Sequence, residues 1–164
     1  MSLSSLGRLL KSSAPYVDLK RTMEKRGRVF AKAQVLTEGT AFLLATLWRD
    51  LGRPVLVVTP RPEDARRLHD QVATWSDEDT SILHFPETET LPFERLISDL
   101  DTSQDRLRTL SALIRLDGRA PVVIASSAAL VQKTLTREAF LEATRTLRVG
   151  DKIDLNDLLQ AWSL

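Results

Sequence analysis

Short apolar runs alternate with amphipathic stretches along most of the chain. Two continuous runs, Val55–Val58 and Pro121–Ala125, have the length of a buried strand, and Ser81–Phe85 predicts a third. Between these runs, apolar residues recur every three or four positions, as they do on the buried face of a helix. Strands that alternate with helices at this spacing predict an α/β fold, with a parallel sheet flanked by helices.

The connecting helices have recognisable starts and apolar stripes. Pro62 suits the first turn of one helix, whose buried face is predicted to carry Ala65, Leu68, Val72 and Trp75. Another helix is predicted to start between Asp101 and Ser103, with a buried stripe of Leu107, Leu110 and Ile114. The remaining helices are predicted in two pieces within residues 3–25, at 127–132, at 136–143 with Thr136 as cap, and after Asp154.

Residues 30–51 have the layout of a phosphate-binding loop. Ala31, Ala33 and Val35 alternate with polar residues and predict a strand; residues 36–40 follow as a loop, and 41–48 are an apolar helical run. Outside this unit, one further short strand is predicted at residues 145–149. We expect the unit at 30–51 to be the centre of the fold.

The residues that would hold a phosphate are nevertheless replaced. A working loop has the form G-x-x-x-x-G-K-[ST], in which the lysine reaches the phosphates and the hydroxyl binds magnesium. With Gly39 as the second glycine, the first glycine position holds Gln34, the lysine position Thr40 and the hydroxyl position Ala41. Glu38 adds a carboxylate, whose repulsion of a phosphate is on the order of 1 kcal/mol or more. The sequence therefore predicts a degenerate loop that binds no nucleotide cofactor.

In the simplest interpretation, this loop is a strand-to-helix turn. Gly39 then serves the backbone geometry, and Thr37 or Thr40 caps the helix. The alternative is an anion held by the helix N-terminus alone, without catalysis.

Composition excludes several classes of function. The 164 residues allow one domain with a small appendage, and a net charge of +1 gives no global electrostatic case for nucleic acid. The absence of cysteine excludes disulfides and thiol catalysis, and two histidines argue against a histidine-rich metal site. No apolar run approaches the ~20 residues that span a bilayer, so we expect a cytoplasmic protein without membrane contacts.

A local basic cluster lies near the N-terminus, at Lys20, Arg21, Lys25, Arg26 and Arg28. A solvated helix face is the favoured interpretation, because no aromatic side chains lie between these cations. The alternative is a DNA contact through Lys20, Arg21 and Lys25, which should weaken steeply with salt.

Other catalytic arrangements are missing from the sequence. His69 lies in an amphipathic helix and His84 in a strand, which favours structural roles for both. Glu87, Glu89 and Glu94 cluster in a loop with no histidine nearby, so we expect them to be solvated rather than to bind metal.

One string of residues carries a family resemblance. Glu89-Thr90-Leu91-Pro92-Phe93, followed by a helix that contains Arg106, Leu107 and Leu110, resembles the N-terminal region of the bacterial transcription-repair coupling factors, the Mfd family. The flanking segments agree in order, from the degenerate loop through Pro54–Pro60 and Ala65–Asp70 to Pro121–Ala125. The resemblance covers the chain from about residue 28 onward.

The resemblance implies a RecA-like domain, similar to part of UvrB, that has lost its nucleotide-binding motifs. It implies a degenerate domain at 28–143 and, at 144–164, the beginning of an inserted domain that recruits UvrA. Residues 1–27, which precede the resemblance, are predicted from their apolar pattern to be an N-terminal helical segment. The chain is then expected to stop inside that insert and to bind UvrA weakly or not at all. RNA polymerase and DNA would be partners only of the full-length parent, an ATP-dependent translocase that displaces stalled polymerase and recruits excision-repair proteins.

Two other hypotheses belong to different classes. One is a small nucleotide-dependent enzyme with an unorthodox loop, in which Lys32, Arg61 or Arg95 replaces the missing lysine. The other is a stand-alone protein-binding domain unrelated to repair. Phosphate release by the purified chain would favour the first of these.

Overall fold

The computed structural model describes residues 6–76, 81–88, 100–115 and 120–150, with residues 152, 154–156 and 159. Their elements, in chain order, are α1 (Gly7–Lys11), α2 (Ala14–Glu24), α3 (Thr37–Leu51), β1 (Val55–Thr59), α4 (Pro62–Thr74), β2 (Ile82–Phe85), α5 (Leu100–Arg115), β3 (Val122–Ser126), α6 (Ser127–Val131) and α7 (Arg137–Ala143). The chain divides into two compact units, Met1–Lys133 and Thr134–Leu164. Within the described ranges, no helix is long and apolar enough to cross a membrane.

The first unit is built on a three-stranded parallel sheet in the order β1-β3-β2. Val122 in the central strand pairs with Val55 on one side and Ile82 on the other. All five residues of β3 are buried, as expected for a strand covered on both faces. The predicted α/β class, with a parallel sheet flanked by helices, is confirmed.

Helices α3 and α4 cover one face of the sheet. Ala41, Ala45 and Trp48 of α3 share a core with Ala65 and Val72 of α4 and with the sheet residues Ile82, Val122 and Ile124. Leu68 and Trp75 pack against this core, so the predicted inner face of α4 is confirmed. The indole Nε1 of Trp48 donates to the Ala120 carbonyl at 2.7 Å, which satisfies the polar atom of a side chain that is otherwise enclosed.

Helix α5 covers only part of the opposite face. Leu110 packs against a core of Leu83, Phe85, Val123, Ala125 and Ala129. Leu56 and Val58 point to the same side of the sheet from β1, but they are exposed. On this face of the sheet, the packed side chains therefore cover β2 and β3 but leave β1 exposed.

The buried side of α5 differs from the predicted stripe. Leu107 is 52% exposed, whereas Arg106 and Thr109 are buried, so the prediction for Leu107 is wrong. The reason is the hydrogen-bonding demand of β2, where Thr109 Oγ1 donates to the His84 carbonyl at 3.0 Å. Buried carbonyl groups beneath the helix need hydrogen-bond donors, so polar side chains face the sheet there. The spacing of apolar residues carries no information about that need.

Two predicted strands are absent. Residues 28–36 and 144–148 are neither helix nor strand, and Ala31, Ala33 and Val35 are exposed. Alternation of side chains alone does not make a strand, because a strand also needs a neighbouring backbone to bond with. Within the described ranges, none of the backbone pairs of the sheet involves these two segments.

Both predicted caps in the second unit are confirmed. Thr136 Oγ1 accepts from the Ala139 amide at 3.2 Å at the start of α7. The Asp154 carboxylate accepts from the Asn156 amide at 2.8 Å. Most of the predicted helix after Asp154 lies outside the described residues.

Polar contacts attach α1 and α2 to the end of α3. Asp50 accepts from Lys11 Nζ at 2.5 Å and from the Tyr16 hydroxyl at 2.8 Å. Burial raises the pKa of Asp50, but the hydrogen bonds from Lys11 and Tyr16 outweigh it and lower the pKa below its usual value. The charged carboxylate therefore contributes to the packing of the N-terminal helices.

Candidate functional site

The degenerate loop is largely absorbed into α3. The helix begins at Thr37, so Glu38, Gly39, Thr40 and Ala41 all lie in its first turns, while Gln34 is exposed in the preceding segment. The Gly39 amide donates to the Leu36 carbonyl at 2.9 Å. The Gly39 amide is therefore already hydrogen-bonded within the first turn of the helix.

The predicted roles of glycine and threonine at this turn are wrong. Gly39 does not have positive φ, and a Cβ built on it would meet only Val35 Cγ1, at 3.4 Å. The N-cap residue is Leu36, which makes no side-chain cap, and Thr40 Oγ1 donates to the Leu36 carbonyl at 3.3 Å instead of accepting from an amide. The turn closes through backbone contacts, so neither residue type is required by its geometry.

The charges around this turn oppose a phosphate. Glu38 is exposed in the first turn of α3, where its carboxylate already complements the positive end of the helix dipole. The position of the magnesium-binding hydroxyl falls on Ala41, which is 1% exposed and belongs to the core under the sheet. A hydroxyl placed there would point into the core and away from a metal ion.

A pocket of about 660 Å³ lies beside the turn, between α1, α2, the segment 31–36 and α3. Its apolar lining includes Leu10, Leu19, Phe42 and Leu43. Lys32 is the one cation among its described lining residues, and Asp18 contributes an opposing carboxylate. This lining suits an apolar group better than a triphosphate.

The structure describes two of the three substitute cations of the enzyme hypothesis. Lys32 is exposed in the irregular segment before α3, and Arg61 is exposed at the start of α4. Arg95 lies outside the described residues.

The structure describes only part of the family motif. Glu89, Thr90, Leu91, Pro92 and Phe93 lie outside the described residues, as does Glu94. Of the helical part of the motif, Arg106 and Leu110 face the sheet and Leu107 faces solvent.

Arg106 is the centre of a buried polar cluster that the sequence did not predict. Its Nη1 donates to the Pro86 carbonyl at 2.6 Å and to Gln132 Oε1 at 3.2 Å. Its guanidinium carbon lies 4.2 Å from the ring centroid of Phe85, which is a cation–π distance. Burial lowers the pKa of Arg106, although an arginine remains charged in such surroundings.

Gln132 connects this arginine to the segment that follows β2. Its Oε1 accepts from the Thr88 amide at 2.9 Å, and its Nε2 donates to the Thr88 carbonyl at 3.1 Å. Ser126 Oγ, at the end of β3, donates to Glu87 Oε2 at 2.8 Å. The cluster therefore fixes residues 86–88 against the end of the sheet, and Glu87 is hydrogen-bonded rather than simply solvated.

The cluster occupies the edge of the sheet where parallel α/β proteins usually bind ligands, beyond the carboxyl ends of the strands. Here the strong donors of Arg106 and the amide of Gln132 are directed at protein carbonyls. The arrangement holds the chain in place, and the two charged groups described within it, Arg106 and Glu87, are both hydrogen-bonded to protein atoms. In the sequence, Arg106 was marked only by the family resemblance, and its spacing did not indicate Gln132 as a partner.

The two histidines lie near each other, with ring centroids 5.7 Å apart. Burial lowers the pKa of His84, and the proximity of His69 lowers it further. His69 Nδ1 lies 3.1 Å from Asp70 Oδ1. In the part of the chain that the structure describes, no three histidine or acidic side chains are grouped to hold a metal ion.

Comparison with models of known protein families and with curated proteins gives no match for this chain.

Proposed function

We propose that this chain is a non-catalytic docking module of a cytoplasmic transcription-coupled repair factor, with a degenerate RecA-like domain. The proposal rests on the resemblance carried by Glu89–Phe93, Arg106, Leu107 and Leu110 and by the order of the flanking segments. In this proposal the module recruits UvrA through an inserted domain. RNA polymerase and DNA are engaged by the other domains of the parent translocase.

The observation that most supports a non-catalytic role is the chemistry at the start of α3. Ala41 occupies the metal-ligand position and is enclosed in the core, and the exposed Glu38 opposes a phosphate. Thr40 cannot supply the positive charge of the missing lysine, on which phosphoryl transfer depends. The start of α3 therefore lacks the groups that hydrolysis of a nucleotide requires.

Titration of the purified chain with magnesium-ATP in a calorimeter is expected to give no binding in the micromolar range. The reason is the lack of the lysine and of the hydroxyl, which together stabilise the phosphates and the metal ion. Gly39→Val is the matched variant, because a Cβ at this position approaches only Val35 Cγ1, at 3.4 Å. Micromolar binding by the parent chain that Gly39→Val abolishes would contradict the non-catalytic part of the proposal.

The docking part is tested with UvrA in a pull-down. A chain continued through the rest of the proposed insert is expected to retain UvrA, and residues 1–164 are expected to retain much less, since no UvrA-contacting residue is assigned within them. Equal retention by both chains, or no retention by the longer one, would argue against this docking role.

A further inference from the structure

The basic residues near the N-terminus divide into two groups with different surroundings. Lys20 Nζ lies 3.6 Å from Glu24 and 3.8 Å from Asp50, and Arg21 lies 3.5 Å from Asp18. Each of these two cations lies near at least one carboxylate, which offsets part of its charge.

The cations that follow α2 are in the opposite situation. Lys25, Arg26, Arg28 and Lys32 are all exposed, and none forms an ion pair with a residue that the structure describes. The eight residues Lys25–Lys32 contain no acidic side chain, so the local charge is +4 although the whole chain carries only +1. Such a concentration of unpaired positive charge attracts a polyanion.

An exposed aromatic ring lies among these cations. Phe30 is 94% exposed and stands between Arg28 and Lys32 in the sequence. Its hydrophobic ring has no protein partner among the described residues, so both faces are open for stacking. The expectation that no aromatic accompanies the basic cluster holds for residues 20–28 but not for the segment that carries the unpaired charge.

Helices hold this segment at both ends. The Arg53 guanidinium donates to the Met23 carbonyl in the last turn of α2, and the Gly39 amide donates to the Leu36 carbonyl at the start of α3. The segment Lys25–Lys32 therefore lies between the end of α2 and the start of α3.

From these features we propose that Lys25–Lys32 binds single-stranded DNA, with its cations on the phosphates and Phe30 stacked on an unpaired base. Single strands expose base faces that are covered by neighbouring bases in a duplex. Proteins that bind single strands combine cations, which contact the phosphates, with exposed aromatic rings, on which the bases stack. Lysine and arginine side chains can also donate to a 2′-hydroxyl, so oligouridine is the control that distinguishes DNA from RNA. This inference does not depend on the proposed repair function.

The aromatic contact is tested by fluorescence anisotropy with a labelled thymidine oligonucleotide at low salt. Phe30→Ala is expected to weaken binding roughly 5- to 150-fold, the range that corresponds to loss of one stacked base, and Phe30→Trp is expected to bind at least as well as the parent chain. Val131→Ala, which truncates another apolar side chain that is 83% exposed, is the control and should bind like the parent.

The charge contact is tested by repeating the titration over a range of salt concentrations. Arg28→Gln and Lys32→Gln are each expected to reduce the slope of log affinity against log salt by about 0.7, and Arg67→Gln on α4 should leave it unchanged. Absence of oligothymidine binding at low salt, equal affinity of Phe30→Ala and the parent chain, or tighter binding of oligouridine would overturn the proposal. Binding of phosphatidylserine vesicles in preference to the oligonucleotide would also overturn it.

Discussion

Trp48→Ala is expected to lower the free energy of unfolding by about 3–5 kcal/mol, a large share of the ~5–15 kcal/mol that stabilises an ordinary domain. Trp48 of α3 is 1% exposed and shares a core with α4 and the sheet. Removal of its side chain therefore leaves a cavity that the neighbouring residues cannot fill. The Ala120 carbonyl also loses the indole donor. Urea unfolding followed by far-ultraviolet circular dichroism measures the effect.

Trp48→Phe separates the two contributions. Phenylalanine keeps most of the buried apolar surface and removes the N–H group, so we expect a smaller loss, of about 1–3 kcal/mol. A decrease below about 1 kcal/mol for Trp48→Ala would contradict the central position of this side chain in the core.

Arg106→Ala is expected to lower the free energy of unfolding by about 1.5–3 kcal/mol, the usual range for hydrogen bonds made by a charged group. The Pro86 carbonyl and Gln132 Oε1 lose their charged donor, and Phe85 loses the cation above its ring. A purely local readout accompanies the change. Exchange of the Thr88 amide hydrogen should accelerate, because Gln132, which accepts from that amide, is no longer held in position.

Arg108→Ala is the matched control, since Arg108 is exposed on the same helix and its truncation should alter stability by no more than about 0.5 kcal/mol. Equal effects of the two substitutions, or unchanged exchange at Thr88, would show that the cluster does not fix the segment after β2.

Arg106 illustrates the limit of predicting a site from this sequence. The resemblance marked Arg106, Leu107 and Leu110 together, and the apolar spacing placed Leu107 inside. The helix instead turns Arg106 and Thr109 toward β2 because the His84 and Pro86 carbonyls there need donors. The partner that completes the cluster, Gln132, is 26 residues away in the chain and comes close only when β3 lies beside β2.

Residues 30–36 illustrate a different limit. Alternation of small apolar and polar residues predicted a strand, but the bonds that make a strand belong to a neighbour whose position the alternation does not encode. The same residues are exposed between α2 and α3, and the ring of Phe30 is consequently available to solvent. The feature on which the DNA-binding proposal depends therefore arises from tertiary structure.

The sequence by itself determined the alternation of strands and helices, the inner face of α4, the cap at Thr136 and the departure of residues 34–41 from the phosphate-loop pattern. Each of these depends on neighbours within a few positions of the chain, through periodicity, capping or residue chemistry. Only the tertiary structure decided the strand order, the buried side of α5, the cluster around Arg106 and the division of the basic residues into paired and unpaired groups. Those depend on which backbone groups and charges from distant segments come within contact distance, and local pattern does not specify that.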